Sequence, residues 1–363
     1  EIDLDDAGHP QEHRIFDSII LSKKRFTYNQ VAQLLKDGDR DGLFRDFMPT
    51  LTTMRDLSQT LRRLRFEQGS VDFNLPEAEV IMNAVGGVER IAIAEHNIAH
   101  ELIEEFMLAA NRTVARHLAE KNIPSIHRVH EAPDPDKLHA FNDFIKSFGF
   151  KLQQVQDPSP KDLQNLLKKV KGHAEERVIN TLLLRSMKKA VYLEQDPGHY
   201  CLGFEHYTHF TSPIRRYPDL IVHRLVKSFL RHKCTAKERN KLRPLLIDYA
   251  AQSSARERKA METEREIIDL RRAQFMVDKV GKQYDGLITS VTAFGFFVEL
   301  DGLFVEGLVH LSNMTDDYYI YIAEEHKLRG QHKRRQFRIG QKVQVRVAEV
   351  DIRKRRIDLA LPK

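Results

Sequence analysis

Between residues 206 and 224 the chain gathers groups that can hold an anion: His206, His209, Arg215, Arg216, His223 and Arg224, with Asp219 among them. Ser212 followed by Pro213 is a helix-start pattern, a capping side chain ahead of a proline at the first helical position. A helix N-terminus offers free N–H groups and the positive end of the dipole. With two arginines beside it, the pattern predicts a phosphate-binding corner. The histidines allow another chemistry. His206, His209 and His223 could ligate zinc, but His-x-x-His falls short of the i, i+4 spacing on one helix face, and no carboxylate completes the set. The plainest alternative is a capped helix with incidental arginines.

A second cluster lies further on. Phe294 and Phe297 stand on either side of Gly295 and Phe296, and Glu306-Gly307-Leu308-Val309-His310-Leu311-Ser312 follows. Exposed aromatic rings on strands, beside a basic rim, are what single-stranded nucleic acid needs. Bases stack on rings at about 1–3 kcal/mol each while cations track the phosphates. Strand alternation cannot bury Phe294, Phe296 and Phe297 together. The basic rim runs from Lys327 to Arg356, where Glu349 and Asp351 are the only carboxylates. The whole chain carries 58 Lys+Arg against 52 Asp+Glu, a net +6, so the meaning of the charge lies in this clustering. Within it, Lys333-Arg334-Arg335 reads either as an RNA-facing loop or as a solvated one.

The elements that must position these groups are legible from periodicity. Residues 1–25 read as a β-hairpin, with Asp5, Asp6 and Gly8 in the turn and a strand-like run over residues 15–21. Thr27 and Gln30 form a capping box that opens a helix through Val31, Leu34 and Leu35. Residues 51–66 are helical. Residues 71–85 and 88–94 are strands joined by Gly86-Gly87. Residues 97–121 form a helix with Ile98, Leu102, Phe106, Ala109 and Thr113 as its stripe. A strand over 125–130 and a helix after the loop 132–136 follow. Further helices are expected over 162–171, 175–190, 214–231 and 237–279, the last broken near Arg243-Pro244. From Gly281 the texture changes to short alternating runs over 287–291, 295–300, 308–309, 343–350 and 356–361. Five strands in that length predict a small Greek-key barrel of OB type, with a domain boundary at Val280/Gly281.

Composition bounds the rest. A chain of 363 residues, 41% hydrophobic and 30% charged, can bury a sizeable core in two or three domains. Mean hydropathy is −0.47 and no apolar run approaches about 18 residues, which excludes a membrane-spanning helix. Two cysteines, Cys201 and Cys234, exclude a disulfide scaffold and suit a reducing, cytoplasmic setting.

The stretch from His206 to Asp219 resembles the signature of the ribonuclease II / ribonuclease R family of exoribonucleases. The run around Phe294, Phe297 and His310 resembles an S1-type RNA-binding domain, which points to the ribonuclease R branch. The resemblance continues through Leu102-Ile103-Glu104-Glu105, the run from Leu183 to Ala190, and the run from Glu257 to Asp269. It implies an α+β fold: a helix- and sheet-containing RNB-type body over residues 1–280, then a five-stranded OB-type β-barrel, the S1 domain, over 281–363. It implies processive hydrolysis of single-stranded RNA from the 3′ end, releasing nucleoside 5′-monophosphates at a magnesium-dependent site. By the same resemblance Arg215 and Glu264 are catalytic. Glu104 contacts the terminal ribose, sharing a helix face with Asn111, and Phe73 stacks on terminal bases. Phe294, Phe297 and His310 form a stacking platform, with Asp351 and Arg355 on the adjacent loop.

The family's magnesium ligands are four aspartates spaced close to Asp-x5-Asp-x-Asp-Asp, and they lie upstream of the segments matched here. Asp3-Leu4-Asp5-Asp6-Ala7 looks like the end of that cluster. No Asp stands six residues earlier, however, and the following segment matches the family far past the cluster. Asp5 and Asp6 are therefore expected as turn residues, and no metal ligand is expected in this chain. The expectation is a C-terminal part of such an enzyme, inactive alone. Its partners would be single-stranded RNA and the remaining N-terminal part, in the same or a separate polypeptide, with neither a membrane nor DNA as main partner. The rival is a non-catalytic RNA-binding protein derived from the family, or one half of a two-chain nuclease.

Overall fold

The computed structural model describes residues 1–73, 75, 77–173, 175–232, 235–322, 325 and 327–362, so Cys234 lies outside the described residues. The chain opens on a hairpin of β1 (Ile2–Leu4) and β2 (Pro10–His13). Asp5 closes its turn: Oδ1 accepts from the N–H groups of His9 at 2.8 Å and Ala7 at 3.0 Å. Those bonds, the one from His9 foremost, hold its carboxyl below the usual range. The next stretch departs from expectation. Residues 15–21 adopt no regular structure, no strand pairs with them among the described residues, and Ile19, Ile20 and Leu21 are exposed. Their β-branched and apolar character favours a strand, but a strand also needs a neighbour's hydrogen-bond ladder.

Helix α1 (Tyr28–Asp37) starts on the Thr27/Gln30 capping box, with both reciprocal bonds formed. Helices α2 (Met48–Glu67) and α3 (Ile98–Glu120) pack against each other, with β3 (Ala78–Met82) and β4 (Val88–Ile93) as an antiparallel pair between them in sequence. The first of these strands begins later than expected, because Val71 is instead bonded to the Cys201 carbonyl and buried. On α3 the buried stripe is Leu102, Glu105, Leu108, Asn111, Ala115 and Leu118. It is rotated from the expected stripe because two of its members are polar and satisfied by tertiary partners. Glu105 meets Arg65 of α2 at 2.5 and 3.1 Å, both side chains almost fully buried, and Arg65 also donates to Ser70 Oγ at 2.7 Å.

Strand β5 (His127–Val129) pairs with β6 (Val191–Leu193), and three helices intervene: α4 (Pro135–Lys146), α5 (Pro160–Val170) and α6 (Glu176–Ser186). Helix α7 (Tyr217–Leu230) starts later than the Ser212-Pro213 pattern predicts. A helix begun at Pro213 would place Pro218 in its interior without an N–H to donate. Starting at Tyr217 puts that proline in the first turn, where no donor is needed. Helix α8 (Ala236–Met276) runs unbroken through Pro244. The lost bond costs about 3 kcal/mol in an isolated helix, and here Leu246 and Ala250, buried just beyond it against Tyr192 and α7, hold the helix together.

The barrel has the strands β7 (Gln283–Thr292), β8 (Gly295–Leu300) and β9 (Val305–His310). A three-stranded sheet of β10 (Tyr319–Ile322), β11 (Lys327–Gly330) and β12 (Gln336–Arg338) is inserted before β13 (Lys342–Asp351) and β14 (Arg356–Ala360). The closed order is β13-β14-β9-β8-β7, with β14 and β9 parallel and the other pairs antiparallel, which is OB topology. The inserted sheet was not expected. Its inward residues Tyr319, Leu328 and Phe337 alternate as a strand requires, but basic neighbours mask the pattern. Phe337 is buried and stacks on Phe296 of β8 at 4.7 Å.

Barrel and body share one apolar cluster, which includes Ile145, Leu163 and Ile179 on one side and Ile288, Phe296 and Val345 on the other. Arg177 of α6 meets Glu299 of β8 at 2.5 Å, and a Cβ at Gly340 would sit 3.0 Å from Val178.

Candidate nucleic-acid interface

The segment from His206 to Arg216 is a loop held from several sides. Asn111 of α3 accepts from the N–H groups of Phe210 and Thr211 at 2.9 and 3.2 Å and donates to Tyr207 Oη at 3.2 Å. Thr208 Oγ1 donates to the Ile126 carbonyl at 2.6 Å. On α7, Asp219, wholly buried, accepts from the Ser212 N–H at 2.8 Å and from Arg216 Nη2 at 2.7 Å. His223 Nε2 donates to the Phe210 carbonyl at 2.9 Å, and the two rings stack at 4.1 Å. The Arg215 and Arg216 N–H groups both return to the Ser212 carbonyl, so residues 212–216 are a closed turn that leads into α7. Arg215 points outward from this turn. Its side chain is exposed, and no carboxylate or carbonyl among the described residues pairs with it.

The two neighbouring arginines therefore separate in role. Arg216 is tied to Asp219 and fixes the turn, while Arg215 is left for a ligand. The histidines do not converge. His206 reaches Asp196 at 2.7 Å, His209 bonds Tyr192 Oη at 2.8 Å and His223 serves the Phe210 carbonyl. The zinc arrangement is not formed. Burial, helped by the neighbouring Arg216 and Arg128 charges, pushes His209 down to about 2, so its imidazole is neutral at any physiological pH. Burial pushes Asp196 up, but His127 and His206 outweigh it and its carboxyl stays below the usual range.

The other residues singled out from sequence are spread over the surface. Glu264 is an exposed carboxylate on α8. Two turns before it on the same line, Glu257 meets Arg128 at 2.6 Å, and Arg128 lies over the Tyr192 ring at 4.7 Å. That anchors the face of α8 that carries Glu264, about 10 Å further along the helix axis. No hydrogen bond or ion pair joins Glu264 to Arg215. Glu104 is exposed and lies 3.7 Å from His96, whereas Asn111, one heptad on, is buried in the loop anchor. The shared helix line is real, but the two side chains do not share an environment. Phe73 is half-buried against the main apolar cluster.

On the barrel the expected rings do meet. Phe294 is exposed, 6.2 Å from Phe297 edge-on and 6.3 Å from His310 nearly parallel. Phe296, on the opposite face of β8, is wholly buried. Gly295 makes this corner possible: a Cβ there would come 2.2 Å from the Val309 carbonyl. Asp351 accepts from the Lys354 N–H at 3.0 Å at the turn between β13 and β14. Arg355, in the same turn at φ +54°, reaches Glu266 of α8 at 3.7 Å. Sequence reasoning passed over Asp219 and Asn111 as anchors; an Asp in the first turn of a helix, seven residues after a serine, was the available signal.

The geometry thus combines an OB barrel with an aromatic corner and a helical body that offers a fixed arginine, unpaired among the described residues. The RNB domain matches residues 1–232 and the S1 RNA binding domain matches residues 277–361, and the chain belongs to the RNB family. It is 40% identical over 362 residues to ribonuclease R of Aquifex aeolicus, covering 99% of this chain and 51% of that protein. Ribonuclease R of Escherichia coli is 35% identical over 371 residues, covering 99% and 45%. The structure of Mycoplasma genitalium RNase R in complex with ribose-methylated single-stranded RNA superposes with a TM-score of 0.94 at 29% identity, covering 99% of this chain and 57% of that one. The chain thus spans about half the length of the curated relatives it matches.

Proposed function

We propose that this protein hydrolyses single-stranded RNA processively from its 3′ end and releases nucleoside 5′-monophosphates. Residues 1–280 belong to the catalytic body, and residues 281–363 hold the incoming strand. The observation that carries the reading is Arg215, exposed and, among the described residues, unpaired on a turn that Asn111 and Asp219 fix in place. A guanidinium held without a protein partner is preorganised for charge that develops elsewhere, here on a phosphoryl oxygen. Glu264 is assigned to the same site. Glu104 accepts hydrogen bonds from the terminal ribose hydroxyls, Phe73 stacks on terminal bases, and Asp351 and Arg355 border the barrel platform.

Magnesium would supply an activated water for such a hydrolysis. This chain's residues do not fit a site for it. Among the described residues no group of three or more His, Cys, Asp or Glu side chains is arranged to hold a metal ion, and Asp5 is engaged by the hairpin's own N–H groups. The ion's ligands would lie outside them, in the polypeptide that the longer relatives carry. The compartment is the cytoplasm, a reducing setting that suits the half-buried Cys201 thiol, free among the described residues; burial pushes its pKa up to about 12. No helix among the described residues is long and apolar enough to cross a membrane.

The lack of convergent carboxylates also favours a second reading, a non-catalytic RNA-binding protein. One experiment separates the two. Residues 1–363 alone should bind a single-stranded oligoribonucleotide and leave it intact with magnesium present. Joined to the additional polypeptide of the full-length relatives, they should release mononucleotides from the 3′ end. Failure to regain activity in the joined, folded protein favours the binding reading. Cleavage by residues 1–363, abolished by Asp5→Asn with Asp6→Asn, would place the active site in the hairpin instead.

The binding half has its own test. Changing Phe294, Phe297 and His310 together to Ala should weaken RNA binding by at least about 2 kcal/mol, or roughly 30-fold. Unchanged affinity in the folded triple variant would remove the stacking assignment.

A further inference from the structure

The turn between β11 and β12, residues 331–335, carries Lys333, Arg334 and Arg335, and its backbone is fastened from outside by one carboxylate. Asp317, whose side chain has no exposed surface, accepts from the N–H groups of Lys333 at 2.6 Å, Tyr318 at 2.8 Å and His332 at 3.1 Å. It also meets His332 Nδ1 at 2.9 Å. Gln331 N–H adds a bond to the Tyr318 carbonyl at 2.8 Å, and Gly330 is packed so closely that a Cβ would lie 2.5 Å from Asp317 Oδ2. A basic loop that served only for solubility would need no such anchor.

The cations are sorted by this arrangement. Arg335 lies over the Phe337 ring at 4.8 Å and 3.6 Å from Asp316. Lys333 and Arg334 are exposed, the latter at φ +55°, and no carboxylate among the described residues pairs with either side chain. The outer face of the same small sheet adds Arg329, cross-strand from Gln336, and Arg338, cross-strand from Lys327. One face thus presents positive charge and hydrogen-bond donors on a fastened backbone, with the exposed Tyr318 ring beside the turn. The cluster of cations suits a sugar-phosphate backbone.

We propose that the Asp317-fastened turn is a phosphate clamp that grips a second stretch of the RNA strand stacked on Phe294, Phe297 and His310; this rests on the RNA-binding reading above. Equilibrium binding of a labelled oligouridylate to residues 1–363 over a range of salt tests it. Asp317→Asn removes a negative charge, so simple electrostatics predicts tighter binding, whereas release of the clamp predicts binding several-fold weaker. Gly330→Ala should weaken binding in the same way at unchanged charge. Lys333→Gln with Arg334→Gln, at exposed positions that do not endanger folding, should lower the slope of log K against log salt by about 1.4, two phosphate contacts' worth. Tighter or unchanged binding by Asp317→Asn, or an unchanged slope in the double variant, overturns the clamp. If the Phe294/Phe297/His310 variant still loses affinity in that case, the clamp alone is wrong. If neither set matters, the RNA-binding reading itself falls.

Discussion

Arg215→Lys, in this chain joined to the additional polypeptide of its longer relatives, should lower turnover by about 10²-fold or more while RNA affinity changes little. The magnitude follows the loss of one preorganised donor to a transition-state oxyanion, which costs about 3–4 kcal/mol. Lysine keeps the charge but loses the planar fork, so binding of the polyanion survives and the directed contact does not. The structure makes the experiment clean. Arg215 makes no side-chain bond among the described residues, so the substitution removes nothing the fold uses. The parallel change Arg216→Lys disturbs the bond to buried Asp219 and should show mainly as lost stability. Single-turnover rates and KM measured separately decide the matter. Normal turnover in the Arg215 variant would return this arginine to the solvated surface.

Glu105→Ala should destabilise the chain by about 3–5 kcal/mol, because it leaves the Arg65 guanidinium buried between α2 and α3 with Ser70 as its only remaining side-chain hydrogen-bond partner among the described residues. Replacing both members, Arg65→Met with Glu105→Met, should recover most of that loss, since two apolar groups of similar size leave no uncompensated charge. Urea midpoints of the single and double variants give the answer. A loss below about 1 kcal/mol for Glu105→Ala would mean that water reaches Arg65 and the pair is not buried in solution.

These two sites show what a sequence can and cannot disclose. Local signals were legible: the Thr27/Gln30 box, the Gly86-Gly87 turn, the closed barrel, and the meeting of Phe294, Phe297 and His310, since strand alternation with a glycine between rings leaves few alternatives. Anchors that act at a distance were not. Asn111 looks like one more residue on a helix until Phe210 and Thr211 arrive from about a hundred residues away. Glu105 breaks an apolar stripe, and its partner sits on another helix. Two helix starts competed within six residues, Ser212-Pro213 and Tyr217-Pro218, and only the cost of an interior proline separates them. Residues 15–21 have the character of a strand, but pairing is a property of two segments, and one sequence window shows only the first. The roles of Glu264, Glu104 and Phe73 rest on resemblance, for the geometry does not draw them into contact with Arg215.

The join between barrel and body also bears on ancestry. OB barrels are often treated as cassettes that recombine freely between proteins. This one is poorly portable. Its host has shaped it: position 340, at φ +81°, favours glycine and a side chain there would press on Val178, and Glu299 answers Arg177. A foreign barrel grafted at residue 281 would arrive without those matches and open a gap in a shared apolar cluster. The two parts are therefore expected to have diverged in step, each substitution at the seam on one side constraining what the other side can accept.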